Sequence, residues 1–173
     1  VDVQGVFREI ELRTASGDIK LDADAERVDI KTLSGDVRLE GAVADLDVEA
    51  ISGNLELRLR QLQTKRMRSQ TTNGSISHRS NPLPQSEDVQ TVNGEVEITG
   101  ELAKDGELRV RTMSGSIDWV RTKSNGEISA RSRSGSVHVD GQAPSATAGG
   151  RRVEFVSFSG DISVKSKTKG AAP

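Results

Sequence analysis

The chain contains no cysteine, which excludes a disulfide framework, a thiol nucleophile and every cysteine-ligated zinc or iron–sulfur centre. Aromatic side chains are scarce: three Phe, one Trp and no Tyr in 173 residues leave little for base stacking or a sugar-stacking groove. No apolar run approaches the roughly 18 residues that span a bilayer, and the N-terminus carries no signal-peptide h-region. Neither sign of charge dominates. The formal net charge of −2 gives no reason to expect a polyanion, so nucleic acid is not an expected partner. Helical periodicity is missing as well, since no stretch places apolar residues at i, i+3, i+4 and i+7 over three turns. The 33% apolar content rises to about 43% when the 17 glycines are added. That lies just under the usual globular share of roughly 45–50%, enough for one domain with a thin core.

What the chain has is a repeat. A Ser-Gly or Asn-Gly dipeptide recurs with its glycine at Gly17, Gly35, Gly53, Gly74, Gly94, Gly115, Gly135 and Gly160, at spacings of 18, 18, 21, 20, 21, 20 and 25 residues. Two residues after each glycine stand Ile19, Val37, Leu55, Ile76, Val96, Ile117, Val137 and Ile162, all aliphatic. Four after come Leu21, Leu39, Leu57, His78, Ile98, Trp119, Val139 and Val164, with a polar column between the two. Upstream, positions five and seven before the glycine are largely apolar, and position three before is Thr, Ser or Ala. Apolar-polar-apolar alternation marks strands that bury one face. Each unit therefore reads as strand, Ser/Asn-Gly turn, strand, turn, in about 20 residues.

A unit this short cannot enclose a core alone, but stacked units bury a continuous apolar column. The expected fold is all-β: a flattened parallel β-solenoid of about eight coils with two facing sheets. It forms a single domain over residues 1–165, with a frayed tail at 166–173. Right-handed coiling is the default for parallel crossovers. An antiparallel sandwich competes, but it has no need for the same residue class at the same phase in eight units. Residues 60–88 and 142–152 depart from the repeat and read as loops or bulged coils, where function often sits on a rigid scaffold.

Chemistry is sparse. His78 falls in an inward column and His138 in an outward one, so the two do not meet at a metal, and His78 is expected partly buried with a hydrogen-bond partner. Trp119 is expected in the core as well. The residues directly after the glycines (Asp18, Asp36, Asn54, Ser75, Glu95, Ser116, Ser136, Asp161) form a broken acidic ladder without the nine-residue calcium-binding pattern. No cofactor, metal site or catalytic residue is expected. Charge is uneven: residues 1–60 hold 8 basic and 14 acidic side chains, residues 61–173 hold 16 and 12. Arg109, Arg111, Arg131 and Arg133 are expected to stack on one face of neighbouring coils, either as ordinary solvated surface or as a basic surface for an envelope glycan, an anionic lipid or another protein. Two residues before each glycine come Ala15, Leu33, Ile51, Thr72, Val92, Met113, Arg133 and Phe158. Strand parity points this column outward. Either the corner turns these side chains partly inward, which is the preferred reading, or they form an apolar stripe for a partner.

Segments such as Ile30-Lys-Thr-Leu-Ser-Gly-Asp-Val-Arg-Leu-Glu-Gly41 and Val89-Gln-Thr-Val-Asn-Gly-Glu-Val-Glu-Ile-Thr-Gly100 resemble the repeats of the DUF4097 family, bacterial β-strand-repeat proteins that carry an adhesin label. The resemblance runs from about Val6 to Lys165. It implies a β-solenoid, a location at the bacterial cell envelope, and a start at Val1 that is a boundary or a processed end. It supplies no active-site residues. The expected function is a non-enzymatic envelope scaffold or adhesin-like binding module. The alternatives are a carbohydrate-active β-helix enzyme and a bactofilin-like rod that self-associates end to end.

Overall fold

A computed structural model describes residues 1–60, 64–121, 127–140 and 151–166. Its strands are β1 (Asp2–Ser16), β2 (Ile19–Ser34), β3 (Val37–Gly41), β4 (Val43–Ser52), β5 (Leu55–Leu59), β6 (Arg66–Asn73), β7 (Ile76–Arg79), β8 (Ser86–Asn93), β9 (Val96–Thr99), β10 (Glu107–Ser114), β11 (Ile117–Arg121), β12 (Glu127–Ser134), β13 (Val137–Val139), β14 (Arg152–Ser159) and β15 (Ile162–Ser166). Every pairing is parallel, and the strands join in one wound sheet because β2 runs through both faces. The result is a β-solenoid of about seven turns, close to the eight read from the glycines, with no helix among the described residues. One row of strands carries the segment before each glycine and the other row the segment after it. Ile30, Val48, Val89 and Val110 line the first, and Ile19, Leu39, Leu57 and Ile98 the second, all buried.

The corners show why the dipeptide repeats. Each glycine amide donates to the residue before the glycine of the next rung, as in Gly35 N to Ser52 O at 3.0 Å. The threonine column closes the inner side: Thr91 Oγ1 donates to Gly74 O at 3.2 Å and Thr71 Oγ1 to Gly53 O at 3.4 Å. The acidic ladder closes the outer side. Asp18 Oδ1 accepts from Asp36 N at 3.0 Å, Asp36 Oδ1 from Asn54 N at 2.7 Å, and Asn54 Oδ1 from Ser75 N at 3.0 Å. These side chains cap the backbone of the following rung, an Asx-type role that accounts for the column without a cation.

Within the stretch 60–88, β6 and β7 pair in full register with both neighbouring rungs. Residues 80–85 connect them to the next rung, with Leu83 buried. Residues 61–63, nearly all of 142–152, and 167–173 of the tail lie outside the described residues.

Stacking follows chain order only as far as β11. There β14, not β12, pairs with β10, and β12 pairs with the far side of β14. The second row repeats the pattern as β11, β15, β13. Corner contacts follow the same order: Gly115 N donates to Ser159 O and Gly160 N to Ser134 O, each at 3.0 Å. The last coil in sequence is therefore interleaved between the two before it. The physical reason is visible in the inward columns. The coil placed inside carries Val153, Phe155, Ile162 and Val164, all buried. The coil left at the end carries Ile128 and Ala130, partly buried, with Val137 and Val139 exposed. Phe155 inside packs on Trp119, with ring centroids 5.9 Å apart and tilted at 54°. Burying the coil with the larger apolar side chains and leaving the smaller one at the open end removes more apolar surface from water.

Candidate functional site

The column two residues before each glycine points outward along its whole length. Leu33, Ile51, Met113 and Phe158 are about half exposed and Val92 is 37% exposed. The corner does not turn these side chains inward, because the inner side of the corner is already filled by the threonine column. An apolar stripe thus runs along one long edge of the rod. Beside it lies the outward column four before each glycine: Arg13, Lys31, Glu49, Gln70, Gln90, Arg111, Val156 and Arg131 in stacking order. Together they line a shallow groove of about 720 Å³ that runs from β4 to β12, with Val92, Met113, Phe158, Arg111, Arg131 and Arg133 on its walls. A second hollow of about 360 Å³ continues it past Leu33 and Ile51.

The four arginines expected to stack on neighbouring coils do share one sheet face, but β14 separates their strands. Arg109 is committed to acids, with Glu154 at 3.1 Å and Glu107 at 3.0 Å. Arg111 and Arg131 lie on either side of Val156, and Arg133 sits over the Phe158 ring at 4.9 Å. Such cation–aromatic stacking holds a guanidinium while leaving its donors available. The cations further along are engaged. Hydrogen bonding to Glu49 and then the charge of Glu49 hold the Lys31 ammonium above its ordinary value. Arg60 is likewise raised, by Asp22 first and also by Glu40. Basic side chains that face the groove with no acid partner among the described residues therefore gather around Arg111, Arg131 and Arg133.

A family model described as Toastrack DUF4097 matches residues 3–96. The chain belongs to this family. No curated protein and no solved structure matches it. The match ends in β9, so the interleaved coils and the arginines of the groove of this Toastrack chain lie beyond the matched segment.

Trp119 is buried, its Nε1 donating to Gly100 O at 3.3 Å. His138 is exposed on the terminal rung, with Nε2 2.9 Å from Asp140 Oδ1. Among the described residues no group of three or more His, Asp or Glu is placed to hold a metal. His78 is fully buried, and its Nδ1 lies 2.7 Å from Glu87 Oε1, which is equally buried. The columns give His78 and Glu87 as two separate breaks in apolar lines; that the breaks meet across the core of the Toastrack solenoid is new from the structure. Around them His78 Nε2, Glu87 Oε2, Ser69 Oγ and Ser80 Oγ are buried without a protein partner. A signal existed in the sequence: the only acid in the column seven before the glycine falls one rung after the only histidine in the column four after it.

Proposed function

We propose that this Toastrack solenoid is a non-enzymatic scaffold of the bacterial cell envelope that lies lengthwise on an anionic lipid surface through its apolar-and-basic stripe. The observation that carries the reading is the outward column Leu33, Ile51, Val92, Met113 and Phe158, interrupted by Thr72 and ended by Arg133, with Arg111 and Arg131 beside it. Apolar side chains entering the headgroup boundary, with cations beside them, are what an interfacial surface requires. A scaffold explains a rigid repeat whose polar ladders are spent on holding rungs together. A carbohydrate-active reading needs two carboxylates in one cleft. In this groove Glu49 is the single acid among the described residues and is tied to Lys31 at 3.1 Å. In the hollow that gathers Asp45, Asp47 and Asp88, Asp45 accepts from Arg66 and Asp88 from Gln90.

The test is flotation of the chain with phosphatidylglycerol-containing vesicles against phosphatidylcholine vesicles. Each basic side chain near an anionic surface contributes about 1 kcal/mol, so changing Arg111, Arg131 and Arg133 together to Ser should weaken binding by roughly a hundredfold. Binding by the parent should fall as salt rises. Equal binding of parent and variant, or no preference for anionic vesicles, would remove the lipid reading. Salt-sensitive capture on acidic glycans without vesicle binding would give the stripe a glycan ligand instead.

A further inference from the structure

The geometry points to a second copy of this chain as a partner: the slot between β10–β11 and β12–β13 accepts the C-terminal coil β14–β15 of another molecule, giving a coil-exchanged dimer. The slot is bounded on both sides by the same repeat in the same register. Arg152 stands opposite Glu107 on one side and Glu127 on the other, Phe155 opposite Val110 and Ala130, Ser159 opposite Ser114 and Ser134. The second row matches, with Ile162 between Ile117 and Val137. Recognition is by backbone ladder and like-on-like columns, so an identical coil from another copy satisfies every partner that the chain's own coil does.

The slot also has one weak wall. Among the described strands β12–β13 pairs only with β14–β15, although Asp140 just beyond β13 accepts from Arg121 of β11. The coil shields little apolar surface, with Val137 and Val139 about 40% exposed. Thin, edge-exposed rungs of this kind are the first to open. The coil inside gains far more on insertion, since Val153, Phe155, Ile162 and Val164 are all buried and Phe155 seats against Trp119. An opened slot is therefore refilled, and only local concentration favours the chain's own coil over a neighbour's. Residues 140–151, fully extended, reach at most about 40 Å, enough to carry the coil into a molecule alongside. This inference does not depend on the lipid-binding reading.

The absence of cysteine makes the test clean. Ser114→Cys and Ser159→Cys, both exposed, are put into separate molecules, mixed at rising concentration, warmed, cooled and oxidised. A covalent heterodimer should appear on non-reducing gels, increase with concentration, and exceed several-fold a collision control pairing Ser159→Cys with Lys20→Cys. The double variant Ser114→Cys/Ser159→Cys, oxidised when dilute, should lock within one molecule, because in-register neighbours fall within disulfide reach. Arg111→Cys with Val156→Cys repeats the test at a second registered pair. Heterodimer at the collision level, with the double variant locking normally, overturns the exchange. Failure of the dilute double variant to lock overturns the slot itself, and the proposal with it.

Discussion

Gly53→Ala is expected to destabilise the solenoid by about 2–5 kcal/mol, whereas Gly17→Ala should lose only about 1–2 kcal/mol. Both glycines sit at positive φ, +141° and +102°, where a side chain brings a steric penalty in either case. What separates them is the neighbouring rung. A Cβ on Gly53 would overlap the carbonyl oxygen of Gly35, while one on Gly17, in the first rung, meets nothing within 4 Å. The overlap cannot be relieved by a rotamer change, because the obstacle is backbone. Relief requires the rungs to part, which stretches the Gly35 N to Ser52 O and Val37 N to Asn54 O bonds that join them at the corner, 3.0 and 2.9 Å. Urea melts of the two variants beside the parent measure the difference. Equal losses would mean that the glycines are needed for φ alone and that stacking distance has no part in selecting them.

Removing either member of the buried pair, by His78→Leu or Glu87→Leu, should lose about 3–5 kcal/mol, since the remaining polar group stays in the core without its partner. Glu87→Leu leaves both ring nitrogens of His78 unpaired, and His78→Leu leaves a carboxylate among apolar neighbours. The double variant His78→Leu/Glu87→Met should recover the parent's stability or exceed it by about 1–4 kcal/mol. The neighbouring rungs show why those side chains fit. Leu57 and Ile98 stack on either side of His78, and Met67 and Leu108 on either side of Glu87. A strongly non-additive cycle is the signature, read as urea midpoints of the four proteins. If the losses simply add, the two side chains are not interacting across the core as their 2.7 Å separation requires.

The strand pattern was legible because the core of a solenoid is built from columns, and columns survive in sequence as a period. Ile19, Val37 and Leu55 declare the inside of a strand without any knowledge of what faces them. The order of rungs is another matter. β12 and β14 match β10 equally well in register, so periodicity cannot say which of them lies against it. The deciding quantity is volume, Phe155 against Ala130 beside Trp119, a property of contacts rather than of phase. The same limit applies to the site. Parity alone put Arg109, Arg111, Arg131 and Arg133 on one face, but their spacing and the capture of Arg109 by Glu154 depend on which strand lies between them. The outward stripe follows from parity too. It looked anomalous only while the inner side of the corner, filled by Thr71 and Thr91 bonded to glycine carbonyls, was out of view.

The interleaving of the last two coils sets how this molecule must be made. Synthesis delivers β12–β13 before β14–β15, yet the finished rod has β12–β13 outside. Winding can keep pace with the ribosome through β11, each new rung laid on the one before. From there β12–β13 emerges before β14–β15, the coil on which it rests in the finished rod. Completion therefore waits for β14–β15, which is translated after β12–β13 but takes the place against β10–β11, with β12–β13 outside it. The native order of rungs is reached only once β14–β15 is free to pair.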